Sequence, residues 1–225
     1  MKKSLSLIVV AMLGTISVQA NAALIISEVA PWGSNATNTS YATDWFELTN
    51  TGSSISNIAG WKMDDNSNSF ASSVALTGIS NIAAGESVIF TENAAKAAFL
   101  NEWFGGSAPA GLQIGNYTGL GVGLSQTADA VNIYNSSGVL QANVSFGVSG
   151  ATSPLKTFDN AAGLNNTAIS TLSATGVNGA FVAANNVNAI GSPGRIAAAV
   201  PEADTYAMFL TGLGLMGFIS RRRQG

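Results

Sequence analysis

The chain has 225 residues, a length typical of one domain of ordinary size. Hydrophobic residues make up 47% of it and charged residues only 9%, so its surface has to be built largely from uncharged polar residues and glycine. Because histidine and cysteine are both absent, the composition excludes disulfides, a Ser-His-Asp triad, a cysteine nucleophile and a typical zinc site.

The charged residues divide the chain into a body and two ends. Five of the nine basic residues lie near the termini. Between residues 23 and 200, four basic residues stand against ten acidic ones, a net charge of −6. Since nucleic-acid binding requires a basic face, nucleic acid is not an expected partner.

The N-terminal residues show the three zones of a secretory signal peptide. Two lysines precede an apolar run at residues 5–18, and the small residues Ala20 and Ala22 frame a cleavage site. The run is shorter than the ~20 residues of a usual membrane span, which favours cleavage over an uncleaved anchor. We predict a signal peptide at residues 1–22, export through the Sec translocon and a mature chain that begins at Ala23.

The body contains short apolar runs separated by turn residues. Its many glycines and asparagines tolerate the positive φ angles that tight turns need. After Asn93 as a capping residue, the spacing of Ala97, Leu100 and Phe104 predicts one short helix over residues 93–104. Many short strands at such spacing predict an all-β sandwich. The predicted strands cover residues 24–29, 44–50, 55–63, 85–91, 129–134 and 139–146.

Residues 148–194 are rich in Ala, Asn, Gly and Thr and have only weak periodicity. We expect this extension to be partly ordered and to complete the domain formed by residues 23–147. Residues 195–199 are predicted to be a linker that joins the body to the C-terminal segment.

The C-terminal segment, residues 200–225, combines a Pro-Glu step, an apolar run and a basic cluster. The apolar run at residues 206–220 would form a helix only about 22 Å long, less than the ~30 Å hydrocarbon core of a membrane. We therefore predict a short transmembrane helix that spans the membrane transiently or where it is thinned. Three arginines after it would hold this end in the cytoplasm and leave the body on the periplasmic side.

This arrangement resembles the PEP-CTERM sorting signal. The resemblance implies processing by an exosortase, a membrane transpeptidase-like enzyme, and delivery through an inner-membrane intermediate to the cell surface or extracellular matrix of bacteria that make exopolysaccharide. Ala203 departs from the pattern, which usually has a second proline there. An ordinary tail anchor is the alternative. The residues that carry the resemblance are Val200, Pro201, Glu202, Thr205, Tyr206, Arg221, Arg222 and Arg223.

The body itself resembles the lamin-tail domain, an immunoglobulin-like β-sandwich found in nuclear lamins and in many bacterial secreted proteins. The resemblance implies that fold for about residues 24–147, and residues 190–194 are similar to a closing segment in bacterial members. A Ser/Thr/Asn-rich insertion at 33–42 and Ala128, where glycine is common, depart from the pattern. The matching blocks are residues 26–29, 44–50, 59–65, 85–90, 124–125 and 129–133.

Carboxylate chemistry is the one class of catalysis that the composition leaves open. A glycosidase needs two carboxyl groups that converge on one cleft, and the spacing of the acidic residues gives no sign of this. The turn at 64–68 offers oxygen ligands for Ca²⁺ but lacks the glycine and the distal glutamate of an EF-hand loop, so a solvated turn is favoured. No metal or cofactor is predicted. The candidate carboxylates are Glu28, Asp44, Glu47, Asp64 and Asp65.

Tryptophans could instead form a platform that stacks on sugar rings. Trp45 and Trp61 lie in predicted strands and are expected in the core, whereas Trp32 lies beside a proline in a loop and is expected to be exposed. Our hypothesis is a non-enzymatic exported protein with a structural or adhesive role. The alternatives are an exopolysaccharide-binding module, which needs exposed aromatics, and a carboxylate-dependent hydrolase.

Overall fold

The structure, a computed structural model, describes residues 24–32, 43–119, 121–149 and 154–195. The predicted signal peptide, the insertion and the sorting segment lie outside these ranges. Within them, the chain forms one helix, α1 (Lys96–Phe104), and fifteen strands. The strands are β1 Leu24–Ala30, β2 Trp45–Asn50, β3 Ser56–Asn57, β4 Lys62–Asp64, β5 Val74–Thr77, β6 Asn81–Ile82, β7 Ser87–Glu92, β8 Gln113–Tyr117, β9 Asp129–Tyr134, β10 Leu140–Phe146, β11 Leu155–Lys156, β12 Phe158–Asp159, β13 Thr167–Ile169, β14 Phe181–Ala183 and β15 Asn186–Gly191.

Ten of these strands form one continuous sheet in the order β12-β1-β2-β7-β8-β5-β4-β9-β10-β13. Strand β5 pairs with β4 through its first half and with β8 through its second half, so the sheet passes there from one layer to the other. We call β12, β1, β2, β7 and β8 the front sheet and β4, β9, β10 and β13 the back sheet. Strands β1 and β10 contact each other across the layers. The prediction of an all-β sandwich with one short helix is confirmed.

The first core fills the space between the front and back sheets. Alternate residues of each strand point into it, as the period of two in a β-strand requires. Two buried aromatic rings of the front sheet, Phe46 and Phe90, stack with centroids 5.5 Å apart. The other large residues buried in this core include Ile26, Leu48, Met63, Val88, Val131, Ile133, Val144 and Phe146.

A third layer covers the opposite face of the front sheet. It consists of α1 and a small sheet in the order β11-β15-β14. Between this layer and the front sheet lies a second core that contains Trp32, Trp45, Phe99 and Trp103. The rings of Trp45 and Trp103 meet edge to face with centroids 5.6 Å apart. The front sheet is therefore buried on both faces, and all six residues of β2 are buried.

This third layer corrects the prediction for Trp32. That side chain is only 1% exposed, so the expectation of an exposed ring is wrong. Its ring lies parallel to that of Trp103, which comes from α1, about 70 residues further along the chain. Trp45 is fully buried, as predicted, whereas Trp61 is half-buried at the edge of the first core.

The short helix exists, but its cap and its buried face differ from the prediction. It begins at Lys96 with Ala95 as N-cap and no side-chain capping hydrogen bond, and Asn93 has a left-handed φ of 58°. Its buried face is centred on Phe99 and Trp103 rather than on the predicted stripe, because the third layer presents that side of the helix to the front sheet.

Candidate functional site

Of the five candidate carboxylates, the structure brings Glu28 and Glu47 together. These two residues are direct cross-strand partners on β1 and β2. Their side chains are 0% and 1% exposed. A buried, ionisable pair at this position is the most unusual chemical feature of the described part of the chain, because glutamate is rarely fully buried without a partner.

A β-bulge in β1 explains how Glu28 reaches the second core. The pairing register with β2 shifts between Ile26 and Glu28, which leaves one extra residue, Ser27, in β1. A bulge changes the direction of the side chains that follow it. Ile26 lies in the first core, whereas Glu28 contacts Thr157 and residues of the third layer.

Glu28 accepts two hydrogen bonds through one carboxyl oxygen. The backbone N–H of Ser192 donates to Oε1 over 2.7 Å, and the hydroxyl of Thr157 donates to the same atom. Thr157 is in turn 2.6 Å from the hydroxyl of Ser173. The other oxygen, Oε2, is buried and has no hydrogen-bond partner among the described residues.

Glu47 uses both of its carboxyl oxygens. The hydroxyl of Ser27 donates to Oε1 over 2.6 Å, and the backbone N–H of Gly194 donates to Oε2 over 2.6 Å. Ser27 also contacts the hydroxyl of Thr49 at 2.7 Å, and Thr49 contacts that of Ser87 at 2.6 Å. A chain of hydroxyl groups thus runs from Glu47 across the front sheet.

Burial shifts the acidity of both groups. Burial, aided by repulsion from Glu47, raises the pKa of Glu28 to about 8, although its hydrogen bonds act in the opposite direction. Burial likewise raises the pKa of Glu47 to about 7 against the effect of its own hydrogen bonds. Two neighbouring carboxyl groups in a dry interior do not both ionise easily, so the pair retains a proton at neutral pH.

The backbone donors to this pair come from the closing segment, residues 190–194. Gly191 lies so close to the pair that a Cβ atom there would be 2.7 Å from Glu28 Oε1 and 2.9 Å from the ring of Trp103. Directly after the segment, the guanidinium of Arg195 lies over the ring of Phe181 at 4.6 Å. The glutamates therefore hold the last described residues of the body against the front sheet.

The other three carboxylates have separate structural roles. Asp44 accepts from the backbone N–H of Leu124 over 2.8 Å. Asp64 accepts from the hydroxyl of Ser67 over 2.7 Å, and Asp65 accepts from the backbone N–H of the same residue over 3.1 Å. Such bonds are those of a side-chain-stabilised turn. Within the described ranges, no group of three acidic side chains is arranged to hold a metal ion.

A polar groove of about 790 Å³ lies beside β9, β10 and β13. Its lining combines amide and hydroxyl side chains and one carboxylate, Asp129, with alanines, a valine and one aromatic ring, Phe146. None of the described residues that line it is basic. The side-chain amides in the lining belong to Asn66, Asn68, Asn132, Asn143 and Asn166.

Sequence reasoning did not identify the partners of the glutamates. Ser192 and Gly194 lie in a segment that is similar to one in bacterial lamin-tail proteins, and nothing in the local sequence around Thr157 indicates its contact with Glu28. The predicted cleavage residues Ala20 and Ala22 lie outside the described residues. The same is true of the sorting residues Val200, Pro201, Glu202, Thr205, Tyr206, Arg221, Arg222 and Arg223. In the described ranges, no helix has the length and hydrophobicity needed to cross a membrane.

Comparison with known families identifies two regions of the chain. Residues 17–147, more than half of the sequence, match the Lamin Tail Domain, and residues 199–224 match the PEP-CTERM protein-sorting motif. No curated protein matches the chain. The combination identifies an exported, sorted protein built on an immunoglobulin-like sandwich. The chain belongs to the Lamin Tail Domain family and carries a PEP-CTERM protein-sorting motif at residues 199–224.

Proposed function

We propose that this protein is a non-enzymatic structural module that an exosortase delivers to the cell surface or extracellular matrix. The observation that carries the proposal is the order of its two family matches, with a sorting motif placed after a sandwich domain. In this proposal, residues 148–194 complete the domain. Strands β11–β15 support that boundary because they lie in this extension and pack against the lamin-tail sheets.

The geometry of the carboxylates argues against a hydrolase. Hydrolysis by paired carboxyl groups requires an open cleft in which substrate and water reach both groups. Glu28 and Glu47 are instead fully buried, and each accepts a backbone N–H from the closing segment. Their arrangement fits a role in holding the protein together.

The sorting step can be tested through two residues of the motif. Pro201→Ala combined with Glu202→Ala should leave membrane insertion intact and block processing, since the apolar run at residues 206–220 is unchanged. We expect the full-length chain to accumulate in the inner membrane, whereas the wild-type chain reaches the surface in a shortened form. The measurement is cell fractionation with an antibody to the body, followed by the mass of the surface form.

The matched control is Ala197→Gly combined with Ala198→Gly, which lies outside the motif and should be processed normally. A wild-type surface form that still carries Arg223 would contradict processing and leave a tail anchor. The same mass measurement reports the N-terminus, which we expect to be Ala23.

The polar groove favours a second candidate function, the binding of a neutral polysaccharide. Amide and hydroxyl groups can hydrogen-bond to sugar hydroxyls, and four of the five asparagines of the groove, all but the buried Asn132, are exposed or half-buried. The burial of Trp32 removes the exposed stacking ring that the sequence had suggested. Any polysaccharide recognition would then depend on the amides.

A blocking substitution tests this second candidate. Ser145 is exposed and lines the groove, so Ser145→Trp should fill it and abolish co-sedimentation with exopolysaccharide from the producing cells. Ser107→Trp places the same ring in an exposed loop after α1 and serves as control. Equal retention of both variants on the polysaccharide would exclude the groove as its binding site.

A further inference from the structure

The closing segment is the point at which the folded body passes into the sorting segment. Only residues 196–198 separate Arg195 from the beginning of the PEP-CTERM match at residue 199. In the closing segment, the backbone N–H of Ser192 donates to Glu28 and that of Gly194 donates to Glu47. These contacts join residues 164 and 147 positions apart in the chain. The part of the body that leads into the sorting segment is thus hydrogen-bonded to a buried carboxyl pair.

The pair is sensitive to its own charge for geometric reasons. Its members face each other across β1 and β2, where like charges repel. Both side chains are shielded from water. One oxygen of Glu28, Oε2, lacks any hydrogen bond among the described residues that could stabilise a negative charge on it. When one carboxyl group carries a proton, that repulsion is absent.

Among the described residues, no cation is paired with either glutamate. Neither glutamate forms an ion pair with another residue in the part of the chain that the structure describes. Asp159 is the β12 partner of Glu28 in the sheet and adds a further acidic group beside the pair. The other charged residues on the elements packed around it are Glu86 and Glu92 at the ends of β7, Lys96 and Glu102 on α1, Lys156 on β11, and Arg195.

We propose that Glu28 and Glu47 form a proton-dependent clamp, which holds the closing segment while the pair retains a proton and releases it when both carboxyl groups are ionised. In the released state, water reaches the two carboxylates and the N–H groups of Ser192 and Gly194. The stretch of chain between the sandwich and the sorting motif then becomes longer, because it includes the residues of the closing segment.

The direction of the pH effect follows from proton linkage. In the released state, the carboxyl groups are hydrated and ionise near their ordinary value of 4.5, whereas burial raises the pKa values in the clamped state to about 8 for Glu28 and about 7 for Glu47. The clamped state therefore binds more protons between these limits, and rising pH favours release. For each additional proton that the clamped state binds, the equilibrium constant for release increases about tenfold per pH unit. Above about pH 8, the effect levels off.

Hydrogen exchange of the purified full-length chain in detergent tests the clamp. We expect the protection factor of residues 190–195, corrected for the intrinsic exchange rate, to fall at least about tenfold between pH 5 and pH 8. Strand β9, in the back sheet, should remain more protected than residues 190–195 at every pH, which shows that release is local. In Glu28→Gln combined with Glu47→Gln, the fall should disappear, because glutamine accepts the same N–H bonds without ionising.

Glu92→Gln is the matched control, since it removes a carboxyl group outside the pair and should keep the wild-type pH dependence. If the double variant does not fold, Glu28→Gln alone should reduce the fall. Constant protection in the wild-type chain would overturn the clamp. An equal fall in the glutamine variants, or exchange in β9 as fast as in residues 190–195, would overturn it as well.

The clamp itself does not require the proposed function, but its effect on sorting does. Exchange of residues 190–195 reports the clamp alone, whereas the C-terminal mass of the surface form reports processing. A result that contradicts the clamp is therefore distinguishable from a result that contradicts processing by an exosortase.

Discussion

Gly191 is a residue of the closing segment that leaves no room for a side chain beside the carboxyl pair. A Cβ atom there would lie 2.7 Å from Glu28 Oε1 and 2.9 Å from both Thr157 Cγ2 and Trp103 Cη2. These three groups are buried and come from different elements, so they cannot all move aside without disturbing the second core. At this position, the side chain has to be a hydrogen atom for a steric reason.

This leads to a first prediction. Gly191→Ala should lower the free energy of unfolding by about 1–3 kcal/mol through overpacking. Gly147→Ala is a matched control, because a Cβ atom at Gly147 would have no neighbour within 4 Å. Urea unfolding of both variants measures the difference, and equal midpoints would show that the closing segment can move away from the glutamates at little cost.

A second prediction concerns pH and the stability of the whole domain. The pKa values of Glu28 and Glu47 are raised on folding to about 8 and about 7 from 4.5, so the folded state binds more protons than the unfolded state within that window. Their favourable contribution is fully present below pH 4.5 and is lost as the pH rises through the folded values. The thermal midpoint should therefore fall between pH 5 and pH 8.

The Glu28→Gln variant should show a smaller fall of the midpoint over the same range, because glutamine does not titrate. Glu92→Gln should behave like the wild-type chain. A midpoint that rises with pH in the wild-type chain would contradict this prediction. It would mean that the folded state stabilises the ionised carboxyl groups in spite of their burial.

At the scale of elements, α1 is important because it makes the front sheet a central layer. Its residues Phe99 and Trp103 pack on Trp45 of β2 with ring centroids 5.5 and 5.6 Å away. Trp103 also lies against Phe181 of β14 at 5.8 Å. One helix residue thus joins the helix, the front sheet and the small sheet, and it lies next to Gly191 as well.

The third prediction follows from this packing. Trp103→Ala should cost roughly 3–5 kcal/mol of unfolding free energy, because it leaves a cavity between three elements. Trp61→Ala should cost less, since that ring is half-buried at the edge of the first core. Chemical denaturation measures both, and a larger loss for Trp61 would mean that the first core, rather than the third layer, limits stability.

At the scale of the whole molecule, the number of residues between the body and the sorting motif limits how far apart the two can be. Six residues lead from Arg195 to Pro201, and an extended chain of that length spans at most about 22 Å. An enzyme that processes the motif near Pro201 would therefore work close to the folded sandwich. This limit is counted from Arg195, whose side chain is packed over the ring of Phe181.

The fourth prediction concerns the arginines after the apolar run. Deletion of Arg221, Arg222 and Arg223 should disturb the orientation of the segment, because positive charge keeps that end in the cytoplasm. Protease protection of a C-terminal epitope in spheroplasts measures the orientation. Replacement of the arginines by lysines is the matched control and should preserve it, whereas an unchanged orientation after deletion would assign no topological role to these charges.

Local patterns in the sequence were sufficient to predict the class of fold. The alternation at residues 129–134 and 139–146 predicted the hairpin of β9 and β10, and the run at 24–29 predicted β1. The run at 55–63, predicted as one strand, instead forms β3 and β4, which pair with different partners around the turn at Gly60. Strands as short as β6 or β11 carry too few residues to show a period.

Sequence by itself determined the all-β class and the two family resemblances and predicted the three-part organisation, because charge, hydrophobic length and strand periodicity are properties of neighbouring residues. Only the tertiary structure decided which groups meet. Trp32 is buried because α1 reaches it from another part of the chain, and Glu28 meets Ser192 across 164 positions. No local pattern encodes such pairs, since burial and contact between distant segments arise only when the layers pack together.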